Sequence, residues 1–134
     1  MKFRKPTADF FVPHGVEAAA ALKRVTHLAI AAHQDDVEFM AVQGVLECFA
    51  KPQRPFACAI CTNGSGSARV GPYAGVSNEE MCRLRRIEQR TAASIGQYSF
   101  VAQLDYASSE VKKPGSPDLV ADLAALLRAT RPQV

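Results

Sequence analysis

Hydrophobic and polar positions along the chain follow two alternating regimes. From Arg24 to Ala32, the residues Val25, Leu28, Ala29, Ile30, Ala31 and Ala32 form an almost unbroken apolar run. A run of that kind predicts a strand buried on both faces, as in a parallel sheet. From Val37 to Ala50 the apolar positions are Val37, Met40, Ala41, Val45, Leu46 and Phe49, which is helical spacing, and Lys51-Pro52 stops it. Phe56 to Thr62 predicts a second strand, and the glycines and serines from Asn63 to Gly75 predict a flexible loop. Ser77 with Glu80 three residues on is a capping-box pattern, opening a helix that runs to Ile95 and ends at Gly96. Ser99 to Leu104 predicts a third strand. Ser116-Pro117-Asp118 opens a helix through Ala129, with Leu119, Leu123, Leu126 and Leu127 on one face. Arg131 to Val134 reads as the approach to a fourth strand.

Before the first strand, Gly15 to Lys23 has high helix propensity. The first fourteen residues carry prolines and no period, and are expected to wrap over the surface. The order is therefore β-α-β-α-β-α followed by an incipient strand. Alternation of this kind predicts an α/β fold, a Rossmann-like open parallel sheet with helices on both faces. Residues 1–24 form an N-terminal extension with a short helix, and 25–134 form the α/β part. A finished sheet of this class usually has more strands than these. The expectation is that 25–134 is the N-terminal part of a domain, with further chain beyond it.

Composition changes this picture little. With 134 residues, 48% hydrophobic and 22% charged, the chain fits one ordinary globular unit. The net charge of +3 is not gathered into a basic run with interleaved aromatics, which argues against nucleic-acid binding. No apolar segment resembles a leader or a membrane span, so a cytoplasmic location with no membrane partner is the default expectation. Cys48, Cys58, Cys61 and Cys82 form no spaced framework. Cys58 and Cys61 read as C-x-x-C, but three residues apart on a strand they point to opposite faces, which predicts buried, unpaired thiols.

The candidate chemistry follows the first strand, where open α/β sheets bind their ligands. His33, Asp35, Asp36 and Glu38 stand within six positions of one another. The two adjacent aspartates repel, and a helix macrodipole offsets only part of that repulsion. A divalent cation would offset it fully, and an imidazole with a carboxylate suits zinc or ferrous iron. The structural alternative is an N-cap aspartate pair beside a structural histidine.

Other residues extend the pattern. Ala31-Ala32-His33-Gln34-Asp35-Asp36 resembles the A-H-P-D-D-E signature of the LmbE-like (PIG-L) family of metal-dependent N-acetylglucosaminyl deacetylases. Thr62-Asn63-Gly64-Ser65-Gly66 is similar to that family's loop after the second strand. Arg85-Arg86-Ile87-Glu88, followed by Ala92-Ala93-Ser94-Ile95-Gly96, matches its helix in type and order, and Asp105 has a counterpart at the end of the third strand. Several ordered motifs are far more specific than any one of them. The resemblance, over residues 25–134, implies a metal-dependent amide hydrolase that removes an acetyl or related acyl group from an amino sugar or sugar conjugate. It implies His33 and Asp36 as metal ligands, zinc or iron as the metal, and Asp35 as the base that activates a metal-bound water. Arg86, Arg85, Asp105 and Asn63 would lie near the substrate, with Arg86 slightly favoured over Arg85.

Gln34 stands where the family has proline, and Val37 where it commonly has glutamate, with Glu38 one position later. The family takes its third metal ligand from a His-Pro-Asp-His-like motif after the fourth strand, which lies beyond these residues. His14 and His27 are poor substitutes, being at no strand's carboxyl end. By themselves the 134 residues are expected to be inactive, and a homo-oligomer is compatible with the pattern. The rival readings are a non-catalytic glycan or nucleotide-sugar binding protein on the same scaffold, and a dinucleotide-binding module. The latter lacks its glycine fingerprint.

Overall fold

The computed structural model describes residues 1–134. Four strands, β1 (Asp9–Phe11), β2 (His27–Ala31), β3 (Phe56–Thr62) and β4 (Val101–Tyr106), form one sheet in the order β1-β4-β3-β2. β2, β3 and β4 are parallel neighbours, with His27 beside Phe56 and Cys58 beside Val101. The helices are α1 (Ala18–Lys23), α2 (Asp36–Met40), α3 (Val42–Cys48), α4 (Asn78–Ile95), α5 (Ser108–Val111) and α6 (Pro117–Thr130). Helices lie on both faces of an open sheet, and the class is α/β. No helix is long and apolar enough to cross a membrane.

Strand alternation divides the core in two. Ala57, Ala59 and Cys61 of β3 pack with Leu22 of α1 and with Leu119 and Leu126 of α6. Phe56, Cys58 and Ile60 face the other way, onto Val37, Cys48 and Ala93 of α2, α3 and α4. Every residue of β3 is buried, because it has strands on both sides and helices on both faces. Cys58 and Cys61 therefore point to opposite faces as unpaired thiols. Burial pushes both up from the ordinary thiol range, Cys61 to about 11.

Several expectations need correction. The first fourteen residues are not merely a wrap, since Asp9–Phe11 pairs antiparallel with β4 and makes the sheet mixed. Three residues are too few to show a period. The predicted helix from Val37 to Ala50 is two helices, broken at Ala41 with φ −111°. The break leaves Gly44 of α3 over the Phe56 ring, where a Cβ would stand 3.4 Å from it. β2 is not buried on both faces. It is the edge strand, with Ile30 43% exposed, and on the helices that follow it Phe39 and Met40 are 79% and 84% exposed. Leu46 and Phe49, two positions of the helical spacing, are exposed as well. Ser116 precedes α6 without a side-chain cap bond, whereas Ser77 Oγ accepts from Glu80 N–H at 3.1 Å. At the last residues, Val134 donates to Thr26 and accepts from Leu28 N–H at 2.9 Å, the pairing of a parallel strand starting beside β2.

Between Ile60 and Thr62 of β3 the register slips, and β4 carries one extra residue there. Asp105 lies in that bulge with φ +64°. A bulge re-aims a side chain, and here it turns the Asp105 carboxylate out of the sheet.

Candidate functional site

A cleft of about 610 Å³ opens across the carboxyl ends of β2, β3 and β4. That volume lies in the range of small-molecule sites. The turn after β2 supplies His33 to Asp36, the loop after β3 supplies Gly64 to Ala68, α4 supplies Arg85 and Glu88, and α5 and its end supply Ser108 and Lys112.

The turn His33-Gln34-Asp35-Asp36 is built locally. Asp35 has φ +77°, in the left-handed region. For a residue other than glycine this costs on the order of 1 kcal/mol, and aspartate tolerates it better than most. The Asp35 carbonyl accepts from Glu38 N–H at 3.0 Å and so starts α2, while its side chain makes no cap bond. The Asp35 carboxylate is left free for the cleft. It is 53% exposed, and one oxygen accepts from Arg85 at 2.6 Å. Asp36 turns the other way. Its Oδ2 accepts from His33 N–H at 2.8 Å and lies 3.3 Å from His33 Nδ1.

This last distance tests whether a metal fits. Two donors on a tetrahedral zinc, with bonds of about 2.0–2.1 Å, stand roughly 3.3 Å apart. The half-exposed His33 and the partly buried Asp36 already hold that spacing, with chemistry suited to a borderline cation. The pair fits as two ligands. No group of three or more His, Cys, Asp or Glu side chains comes together to complete a set. His27 is buried in β2 with its ring against Thr26, away from the cleft.

Arg85 is the cationic centre of the floor. Its terminal nitrogens reach Asp35 at 2.6 Å, Glu88 at 2.5 Å and the Gln34 carbonyl at 2.8 Å. Burial works against its charge, but the carboxylates of Asp35 and Glu88 outweigh it and move its pKa up. Tyr73 donates to Glu88 at 3.2 Å from the loop side. Lys112 lines the cleft and makes no ion pair, which leaves its ammonium available to a ligand.

The remaining sequence-predicted residues stand apart from the cleft. Arg86 donates at 2.9 Å to Asp105 and to the Thr7 carbonyl, and Thr7 in turn donates to Asp105. These contacts tie α4 to the bulge of β4 and to the N-terminal segment. Asn63 shapes its own loop, its Oδ1 accepting from Ser65 N–H at 3.1 Å. Glu38 points beneath α2 to accept from Gln89 at 3.0 Å and from Tyr98 at 2.9 Å. The burial of Tyr98 and the Glu38 charge push its phenol pKa up.

Sequence reasoning noted Gln34 only as a polar replacement for the family's proline, whereas its side chain is buried; it did not find Gln89, Gln103, Tyr73 or Lys112. Glutamine carries no burial signal of its own, and Lys112 caps the end of a helix of four residues with too little period to register. The loop after β3 runs through a short 3-10 turn, Gly71–Tyr73, before α4 begins at Asn78. A dinucleotide fingerprint loop opens straight into its helix, so this loop is of another kind.

Among known proteins, the family model described as PIG-L, GlcNAc-PI de-N-acetylase, matches residues 28–134. No curated protein and no solved structure matches the chain.

Proposed function

Because the chain belongs to the PIG-L family, whose description is GlcNAc-PI de-N-acetylase, we propose that it hydrolyses the N-acyl amide of an amino sugar or sugar conjugate. The observation that carries this reading is one cleft at the strand ends. It joins a His33–Asp36 donor pair and an Asp35 carboxylate held by Arg85 through one oxygen. His33 and Asp36 would hold a divalent metal, zinc or iron. That ion supplies positive charge to polarise the scissile carbonyl and acidify water.

Asp35 takes the proton from the attacking water at the oxygen that Arg85 leaves unbonded, then returns it to the leaving nitrogen. The C–N bond breaks, and the products are a carboxylate and a free amine. Arg85 fixes the carboxylate by a charge-assisted bond. Lys112 and Ser108, across the cleft, contact the substrate away from the reacting amide. His33 and Asp36 are two donors where zinc takes at least three from protein.

The test is metal analysis together with acetate release from N-acetylated sugar conjugates. Asp35→Asn should bind the metal and lose about 10²–10⁴ in kcat. His33→Ala should lose the metal. Full metal loading with no hydrolysis across the substrate panel would favour the glycan-binding alternative instead.

A further inference from the structure

Gln34 lies between the proposed ligand His33 and the proposed base Asp35, yet its side chain turns inward and is 2% exposed. Its Nε2 donates to the Thr62 carbonyl at the end of β3 at 3.1 Å and to Gln103 Oε1 on β4 at 3.3 Å. Gln103 Nε2 then donates to the Arg86 carbonyl on α4 at 3.1 Å. Both amide orientations follow from chemistry, because a backbone carbonyl can only accept. One buried side chain thus connects the turn to two strands, and through Gln103 to α4.

The backbone of the same turn is held from the other side. The Gln34 carbonyl accepts from the Arg85 nitrogen that also binds Asp35. Asp35 N–H donates to Gln89 Oε1 at 3.1 Å, and Gln89 passes its own amide hydrogen to Glu38. Gly64 closes over this arrangement, so that an added Cβ would come within 2.8 Å of Gln34 Oε1. A left-handed residue persists only where its surroundings over-determine it. Here the over-determination comes from two glutamines and an arginine.

We infer that Gln34, anchored by Gln103, is a positioning residue that holds the Asp35 turn in its left-handed conformation and so keeps the Asp35 carboxylate beside the His33–Asp36 pair. The inference deepens the proposed hydrolase reading and rests on it for the role of Asp35. The placement of the turn does not depend on that reading. At the position where the resembled motif has a stiff ring, this chain uses hydrogen bonds to the sheet.

The experiment compares the wild-type chain with Gln34→Ala, Gln103→Ala, the double variant and the surface control Gln43→Ala. Amide hydrogen exchange is followed by NMR with and without zinc. The Asp35 amide should exchange at least about tenfold faster in Gln34→Ala, while amides of β3 keep their protection. At Asp35 the double variant should add little to Gln34→Ala, because Gln103 supports the turn through its bond to Gln34. Unchanged exchange at Asp35, or equal loss of protection throughout β3, would overturn the inference.

A second arm measures turnover. Gln34→Ala should lower kcat about 10–100-fold, as supporting residues of metal sites do, with KM within about twofold and the zinc still bound. Loss through KM alone would also overturn it. If the wild type binds zinc fully and still hydrolyses no N-acylated sugar, the functional reading falls, and the exchange arm still decides the positioning role.

Discussion

Asp35 and Gly64 both line the cleft, and each has a positive φ. Aspartate can adopt that conformation at a modest cost, whereas at Gly64 a side chain is excluded on two grounds. Its φ is +77°, and an added Cβ would stand 2.8 Å from Gln34 Oε1 and 2.9 Å from the Arg85 side chain. Gly15 has φ +67° with open space around it, so it isolates the backbone part of the effect. Gly15→Ala should destabilise by about 1 kcal/mol through conformation alone. Gly64→Ala should cost about 2–4 kcal/mol, because forced displacement of Arg85 and Gln34 adds to it. Urea midpoints of the two variants measure the difference, and equal losses would refute the packing argument. At this scale the sequence announced His33, Asp35 and Asp36 through their crowding of charge. It could not announce Gln34, because whether a glutamine faces water or a strand end is decided by the fold around it.

Elements were legible where a period had room to repeat. α4 and α6 have 18 and 14 residues, and both lie where capping residues and apolar spacing placed them. β1, with three residues, and α5, with four, were not foreseen, and the one-residue break at Ala41 leaves the apolar spacing on both sides intact. The capping serines separate pattern from interaction. Ser77 makes its bond to Glu80 N–H, and Ser116 makes none. Ser77→Ala should therefore destabilise by about 1 kcal/mol, and Ser116→Ala by no more than about 0.5 kcal/mol. Thermal unfolding of the two single variants distinguishes them. A loss at Ser116 as large as that at Ser77 would show that residue type at an N-cap, and not the observed bond, sets the contribution.

Over the whole molecule, β3 couples the two half-cores, and most of its side chains are small. Ala57, Cys58, Ala59 and Cys61 let helices approach closely on both faces of β3. The cost of using cysteine there is a dependence on pH. Burial raises the Cys58 and Cys61 thiols, and burial with acidic neighbours raises the Tyr98 and Tyr106 phenols. A group whose folded pKa lies above its unfolded value binds its proton more tightly in the folded state. Its contribution is complete below the unfolded pKa and is lost as pH rises toward the folded one. For Cys61 that window runs from the ordinary thiol value of 9.0 to about 11. A shift of this size corresponds to roughly 2–3 kcal/mol. The unfolding free energy should therefore fall between pH 9 and pH 11. Cys61→Ala should flatten that fall, even though its stability at pH 7 is lower from lost packing. Every other titratable group is common to the two proteins, so the difference between the two slopes isolates the thiol. Parallel slopes in urea titrations at matched pH would mean that the Cys61 side of β3 admits water, and that the two half-cores are less completely closed than their packing shows.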